Sequence, residues 1–205
     1  MTEPNEVFEK NYRFYLDRIA ESNLIRKAEI LGAQAEGNGL RVCFFGDNYL
    51  ISQDGIFNSS GKQAGYSQCI ILFKHVLLCP AEIPAQGEWT AYREFPDAGP
   101  LTGFFAKDVE LSLARHFSGR TEELKKACAA LGGVPYEEKI SCDIAMQFQA
   151  LPRIPILLIF HDGDAEFPAQ SSILFRKSIG IYLDMESVAI LGKVLTDSLN
   201  RQIRM

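Results

Sequence analysis

The segment His161-Asp162-Gly163-Asp164-Ala165-Glu166-Phe167 places three carboxylates at alternate positions behind an imidazole. Oxygen anions this close together suit a hard divalent cation, which prefers oxygen ligands. A carboxylate pair can also work as general acid and base where burial sets the two pKa values apart. His161, Asp162, Asp164 and Glu166 are therefore the candidate metal ligands. The same residues also serve as turn chemistry, because Asp bonds its own downstream backbone and Gly supplies positive φ. The pattern departs from the calcium-loop template, which continues to a Gly at its sixth position and a Glu at its twelfth.

A second candidate is the segment Trp89 to Phe95, whose alternation predicts a strand. Trp89, Ala91, Arg93 and Phe95 would share one face, with Thr90, Tyr92 and Glu94 opposite. Aromatic residues beside a guanidinium suit a pocket that grips a planar or anionic ligand. Trp89, Tyr92 and Arg93 are the candidate ligand-binding residues, and strand aromatics equally serve sheet packing. His75 and Cys79 lie four residues apart, a spacing usable on one helix face for a metal or for the axial position of a haem-like or corrinoid group. Their apolar surroundings also suit a core histidine and a buried thiol. None of Cys43, Cys69, Cys79, Cys128 and Cys142 stands in a Cys-x-x-Cys pair. Nucleotide-binding glycine loops and the Gly-x-Ser-x-Gly elbow are absent.

The elements that must position these residues follow from periodicity. Residues 4–31 read as a helix, with Phe8, Tyr12, Tyr15 and Ile19 on one face and Gly32 as its stop. Leu40 to Phe44 and Tyr49 to Ile51 read as a hairpin turned by Gly46-Asp47, and Asp54 to Gly65 as a loop. The apolar run Gln68 to Cys79 favours a buried helix. Phe105, Val109, Leu113 and Phe117 step by four as a helix does, and Thr121 is placed to cap the next. Ile140 to Ala150 alternates as a half-solvated antiparallel strand. Ile156 to Phe160 is apolar on both faces and so belongs at a sheet centre. Asp184 is placed to cap a last helix carrying Val188, Leu191, Leu195 and Leu199. Without a regular strand–helix alternation, the fold class is α+β: a mixed, mainly antiparallel sheet packed against several helices, as a single domain over residues 1–205.

Composition narrows the function classes. The 205 residues carry 21 Lys+Arg against 26 Asp+Glu, a net charge of −5 with no basic tract, which argues against nucleic acid as partner. No apolar run is long enough to span a membrane. The polar start lacks the pattern of a signal peptide, and the odd cysteine count fits reduced thiols, so a cytoplasmic location is expected.

Several blocks resemble one family. These are Leu151-Pro152-Arg153-Ile154-Pro155, the run Asp162 to Ala169, Ile173-Leu174-Phe175, Tyr182-Leu183, and Gly87-Glu88-Trp89 to Phe95. Together they resemble the uncharacterised DUF3786 family over most of the chain. The resemblance implies a cytoplasmic protein of anaerobic bacteria or archaea, from a family in which some members are joined to an iron–sulfur domain of the kind found in corrinoid proteins. The family pattern has Asp after Leu-Phe, where this chain has Arg176. The resulting expectation is a small-molecule or cofactor-binding accessory protein of anaerobic metabolism, its corrinoid link resting on the resemblance alone. The alternatives are a divalent-metal-dependent enzyme using residues 161–166, and a protein-interaction module presenting the helix faces Phe105–Phe117 and Val188–Leu199.

Overall fold

The structure, a computed structural model, describes residues 4–202. Helix α1 (Pro4–Ala20) and helix α2 (Leu24–Leu31) replace the single helix expected there. Asn23 separates them, its side chain accepting the Arg26 amide at 3.3 Å and so starting α2 afresh. Gly32 ends α2 in the left-handed conformation at φ 67°.

Four strands follow: β1 (Gln34–Glu36), β2 (Gly39–Phe44), β3 (Asp47–Ser52) and β4 (Gly55–Asn58), forming an antiparallel meander in that order. The β2–β3 turn is Phe45-Gly46, one residue earlier than expected, with φ of 47° and 86°. Two positive φ values in a two-residue loop match the twist of a hairpin. Strand β4 occupies part of the expected loop, because Ile56 is fully buried there and Phe57 half-buried. The buried helix is α3 (Tyr66–Leu77).

Strand β5 (Trp89–Ala91) is short and gives way to 3-10 turns at Tyr92–Glu94 and Gly99–Leu101. A one-turn helix α4 (Thr102–Phe104) then opens into a π-helical segment, Phe105–Leu111, which runs on into α5 (Ser112–Phe117). Phe105, Val109, Leu113 and Phe117 are all buried. An unbroken step of four residues suits the wider π turn, which bonds i to i+5. Helix α6 (Thr121–Ala130) starts without a side-chain cap, so Thr121 does not act as expected.

The second sheet is antiparallel throughout, in the order β5-β9-β8-β7-β6. Its other members are β6 (Val134–Pro135), β7 (Ile144–Leu151), β8 (Ile154–His161) and β9 (Gln170–Arg176). Strand β8 is central, as its two apolar faces require, and β7 alternates with Ile144, Met146, Phe148 and Ala150 buried. Ile140 and Cys142 precede β7 rather than extending it. A short helix α7 (Ile179–Tyr182) leads to α8 (Met185–Gln202), whose first turn Asp184 caps by accepting the Ser187 amide at 2.9 Å.

Both sheets and the helices share one contiguous hydrophobic core, within which α8 packs against α3, α5, α6 and the π segment. The fold is thus α+β in a single unit, with two antiparallel sheets in place of one mixed sheet.

Candidate functional site

Strand β5 pairs with β9 only from Trp89 opposite Arg176 to Ala91 opposite Leu174. Beyond that point the β9 edge is already occupied. Glu110, from the π segment, accepts the Ile173 amide on its carboxylate at 3.1 Å, and its backbone oxygen accepts the Ser171 hydroxyl at 2.6 Å. Burial pushes the Glu110 carboxyl above its ordinary value, partly offset by the Ile173 amide and the Arg93 guanidinium. With the edge taken, the chain turns at Tyr92 and the expected strand to Phe95 ends. The alternation in the sequence therefore does not become a common face.

The three candidate ligand residues separate accordingly. Trp89 is half-buried, its Nε1 donating to the Tyr136 hydroxyl at 2.9 Å, and the Arg176 guanidinium lies 4.0 Å over its ring. Tyr92 is a core residue, stacked on Phe105 with ring centroids 4.3 Å apart and donating its hydroxyl to the Met185 carbonyl at 2.9 Å. Arg93 is exposed and borders a recess of about 80 Å3 with Thr102 and Glu110, room for little more than a few waters.

Two carboxylates of the acidic loop each commit one oxygen to backbone amides. Asp162 Oδ1 accepts the amides of Gly119 at 2.7 Å and Gly163 at 2.8 Å, tying the loop to the α5–α6 turn. Asp164 Oδ1 accepts the amides of Glu166 at 2.8 Å and Phe167 at 2.7 Å. These amides, Phe167 first, hold the Asp164 carboxyl below its ordinary value. His161 and Glu166 are exposed. Among the described residues no group of three His, Cys, Asp or Glu side chains converges as a metal site requires.

His75 lies wholly inside, its ring 5.7 Å from that of Tyr182, and neither ring nitrogen nor the Tyr182 hydroxyl has a hydrogen-bond partner. An axial ligand needs a nitrogen that the group can reach, and His75 has no exposed surface. In this fold a haem-like or corrinoid group has no access to His75, while Cys79 is partly exposed. The cysteines are unpaired, and burial pushes Cys69 and Cys128 up to about 12, so neither is a thiolate near neutrality.

One concavity that combines apolar walls with charged groups has no motif in the sequence. It is a cleft of about 540 Å3 where the chain after α3 and the turn after β5 face the β9–α7–α8 connection. Phe95, Leu183 and Met185 are buried in its walls, while Leu78 and Ile181 keep 40% and 48% of their surface exposed. Glu94, Asp97, Lys177 and Asp184 supply the charge. Burial works against ionised Asp184, but its ion pair with Lys74 at 2.7 Å and the Ser187 amide outweigh that and hold it below its ordinary value. Another concavity of similar size, about 550 Å3, is bordered by Arg120, Glu123, Lys126 and small alanines, without a large apolar side chain. A third, of about 340 Å3, lies beside Tyr136 and Arg176. Little in the sequence points to the cleft: its lining comes from Leu78, from Thr90 to Asp97 and from Lys177 to Met185, segments far apart in the chain.

Fold and site together define an α+β protein with a surface cleft beside the last two helices. No helix among the described residues is long and apolar enough to cross a membrane. Residues 24–198 match the family model described as Domain of unknown function (DUF3786), and the chain belongs to that family. No curated protein and no solved structure matches it.

Proposed function

We propose that this is a small-molecule-binding protein whose ligand sits in the cleft bordered by Leu78, Phe95, Ile181 and Met185. The observation that supports this is the cleft's combination of size and lining. Its volume of about 540 Å3 falls within the range of roughly 300–1,000 Å3 usual for ligand pockets. Its apolar walls can exclude water from a ligand, and its few charged groups can orient one. Leu78 and Ile181 are the large apolar side chains it leaves partly in water, so covering them would add favourable burial.

The test is saturable binding of a neutral apolar fluorophore, N-phenyl-1-naphthylamine, to the wild-type protein and to Ile181→Glu. Ile181 is half exposed, so the variant folds and places a charge on the wall. The expected result is single-site fluorescence enhancement in the wild type and at least tenfold weaker binding in the variant. No saturable enhancement, or equal binding by both proteins, would refute the reading.

A further inference from the structure

We infer that the cleft selects a ligand with an apolar body and one positively charged group, an organic ammonium or amidinium. The inference rests on the proposed binding role and adds the chemistry of the occupant. The argument is a charge balance around one apolar cavity. Four side chains in its lining carry charge: Glu94, Asp97, Lys177 and Asp184. Both lysines at hand are already paired, Lys177 with Glu88 at 3.2 Å and Lys74 with Asp184 at 2.7 Å. Asp184 is further held by the Ser187 amide at 2.9 Å. Glu94 and Asp97 are exposed, and neither takes part in a side-chain hydrogen bond or ion pair among the described residues. The cleft therefore presents two uncompensated carboxylates and no uncompensated cation.

Those two carboxylates flank Phe95 and Pro96, which belong to the cavity lining itself. A ligand whose apolar part lies against Phe95, Leu183 and Met185 shares its cleft with Glu94 and Asp97, the lining charges left without a partner. An anionic end would meet two like charges there, and a neutral end would gain nothing from them. A cationic end gains from both, at the modest strength of exposed ion pairs, which salt screens. Apolar contact would supply most of the affinity and the carboxylates the selection.

Three probes of one chain length separate these cases: n-octylammonium, n-octanol and n-octanoate, each displacing N-phenyl-1-naphthylamine. The expected order is ammonium tightest, by roughly five- to tenfold over octanol at low ionic strength, with octanoate weakest. That preference should collapse at about 1 M NaCl, where the screening length falls to about 3 Å. In the double variant Glu94→Gln/Asp97→Asn, ammonium should fall to the affinity of octanol while octanol is unchanged. Both side chains are exposed and unpaired, so the variant keeps the fold. Equal displacement by the three probes, failure of octylammonium to displace, or an unchanged preference in the double variant would overturn the inference. If the fluorophore binds in an Ile181-dependent manner while the probe order fails, the cleft stands and the charge selection falls. If the fluorophore itself does not bind there, the binding reading has failed.

Discussion

Acid sensitivity should be written largely into His75. Its imidazole is fully buried between α3 and α7 and neither nitrogen has a hydrogen-bond partner, so burial lowers its pKa from the ordinary 6.5 to about 3. In the unfolded chain the same ring takes up a proton below pH 6.5. Folding must then expel that proton. The stability associated with a neutral His75 is therefore whole above pH 6.5 and is lost as the pH falls from 6.5 toward 3. At about 1.4 kcal/mol per pH unit, the whole window is worth on the order of 5 kcal/mol, and the part lost by pH 4.5 is roughly half of that. Single domains have roughly 5–15 kcal/mol in total, so this one residue can decide whether the protein survives mild acid. The perturbation is His75→Leu, close in size and without polar atoms to satisfy. Near pH 7.5 it should be neutral or stabilising, because two unsatisfied polar atoms go with it. Urea unfolding of both proteins at pH 7.5 and pH 4.5 measures the outcome. The advantage of the variant should grow by about 2–3 kcal/mol between the two pH values, while carboxylates common to both cancel. Parallel pH dependence of the two proteins, or a His75 ring that titrates near 6.5 in the folded state by NMR, would refute the reasoning.

Two further outcomes follow from close contacts and loop geometry. A Cβ at Gly192 in α8 would stand 2.6 Å from Phe105 Cε2, and that ring is pinned against Tyr92. Gly192→Ala should therefore destabilise by about 1–3 kcal/mol in chemical denaturation despite the gain in helix propensity; a stabilised variant would show that the ring yields. Replacing Asp164 by Ala should speed amide hydrogen exchange at Glu166 and Phe167, the two amides its carboxylate accepts, while leaving β8 and β9 protection unchanged. Unchanged exchange at both amides would mean that the turn is held by other means.

Elements governed by local periodicity were legible from the residues alone. Strand β8 declared itself central because Ile156 to Phe160 leaves no polar face for water, and α8 because Val188, Leu191, Leu195 and Leu199 share one stripe. The stop at Gly32 and the cap at Asp184 rest on backbone chemistry a few residues wide, so they too were readable. The end of β5 and the cleft depended on distant partners. The alternation from Trp89 to Phe95 fits a strand, yet Glu110 had already claimed the β9 edge from another part of the chain, and the strand stops at Ala91. The carboxylates of residues 162–166 have the composition of a cation site, but folding aims Asp162 and Asp164 at backbone amides. The cleft joins residues near 78, 94–97 and 177–185, which no window of sequence contains. Its existence is decided by where α7 comes to rest against the turn after β5, because a concave surface is a property of how elements pack and not of any one of them.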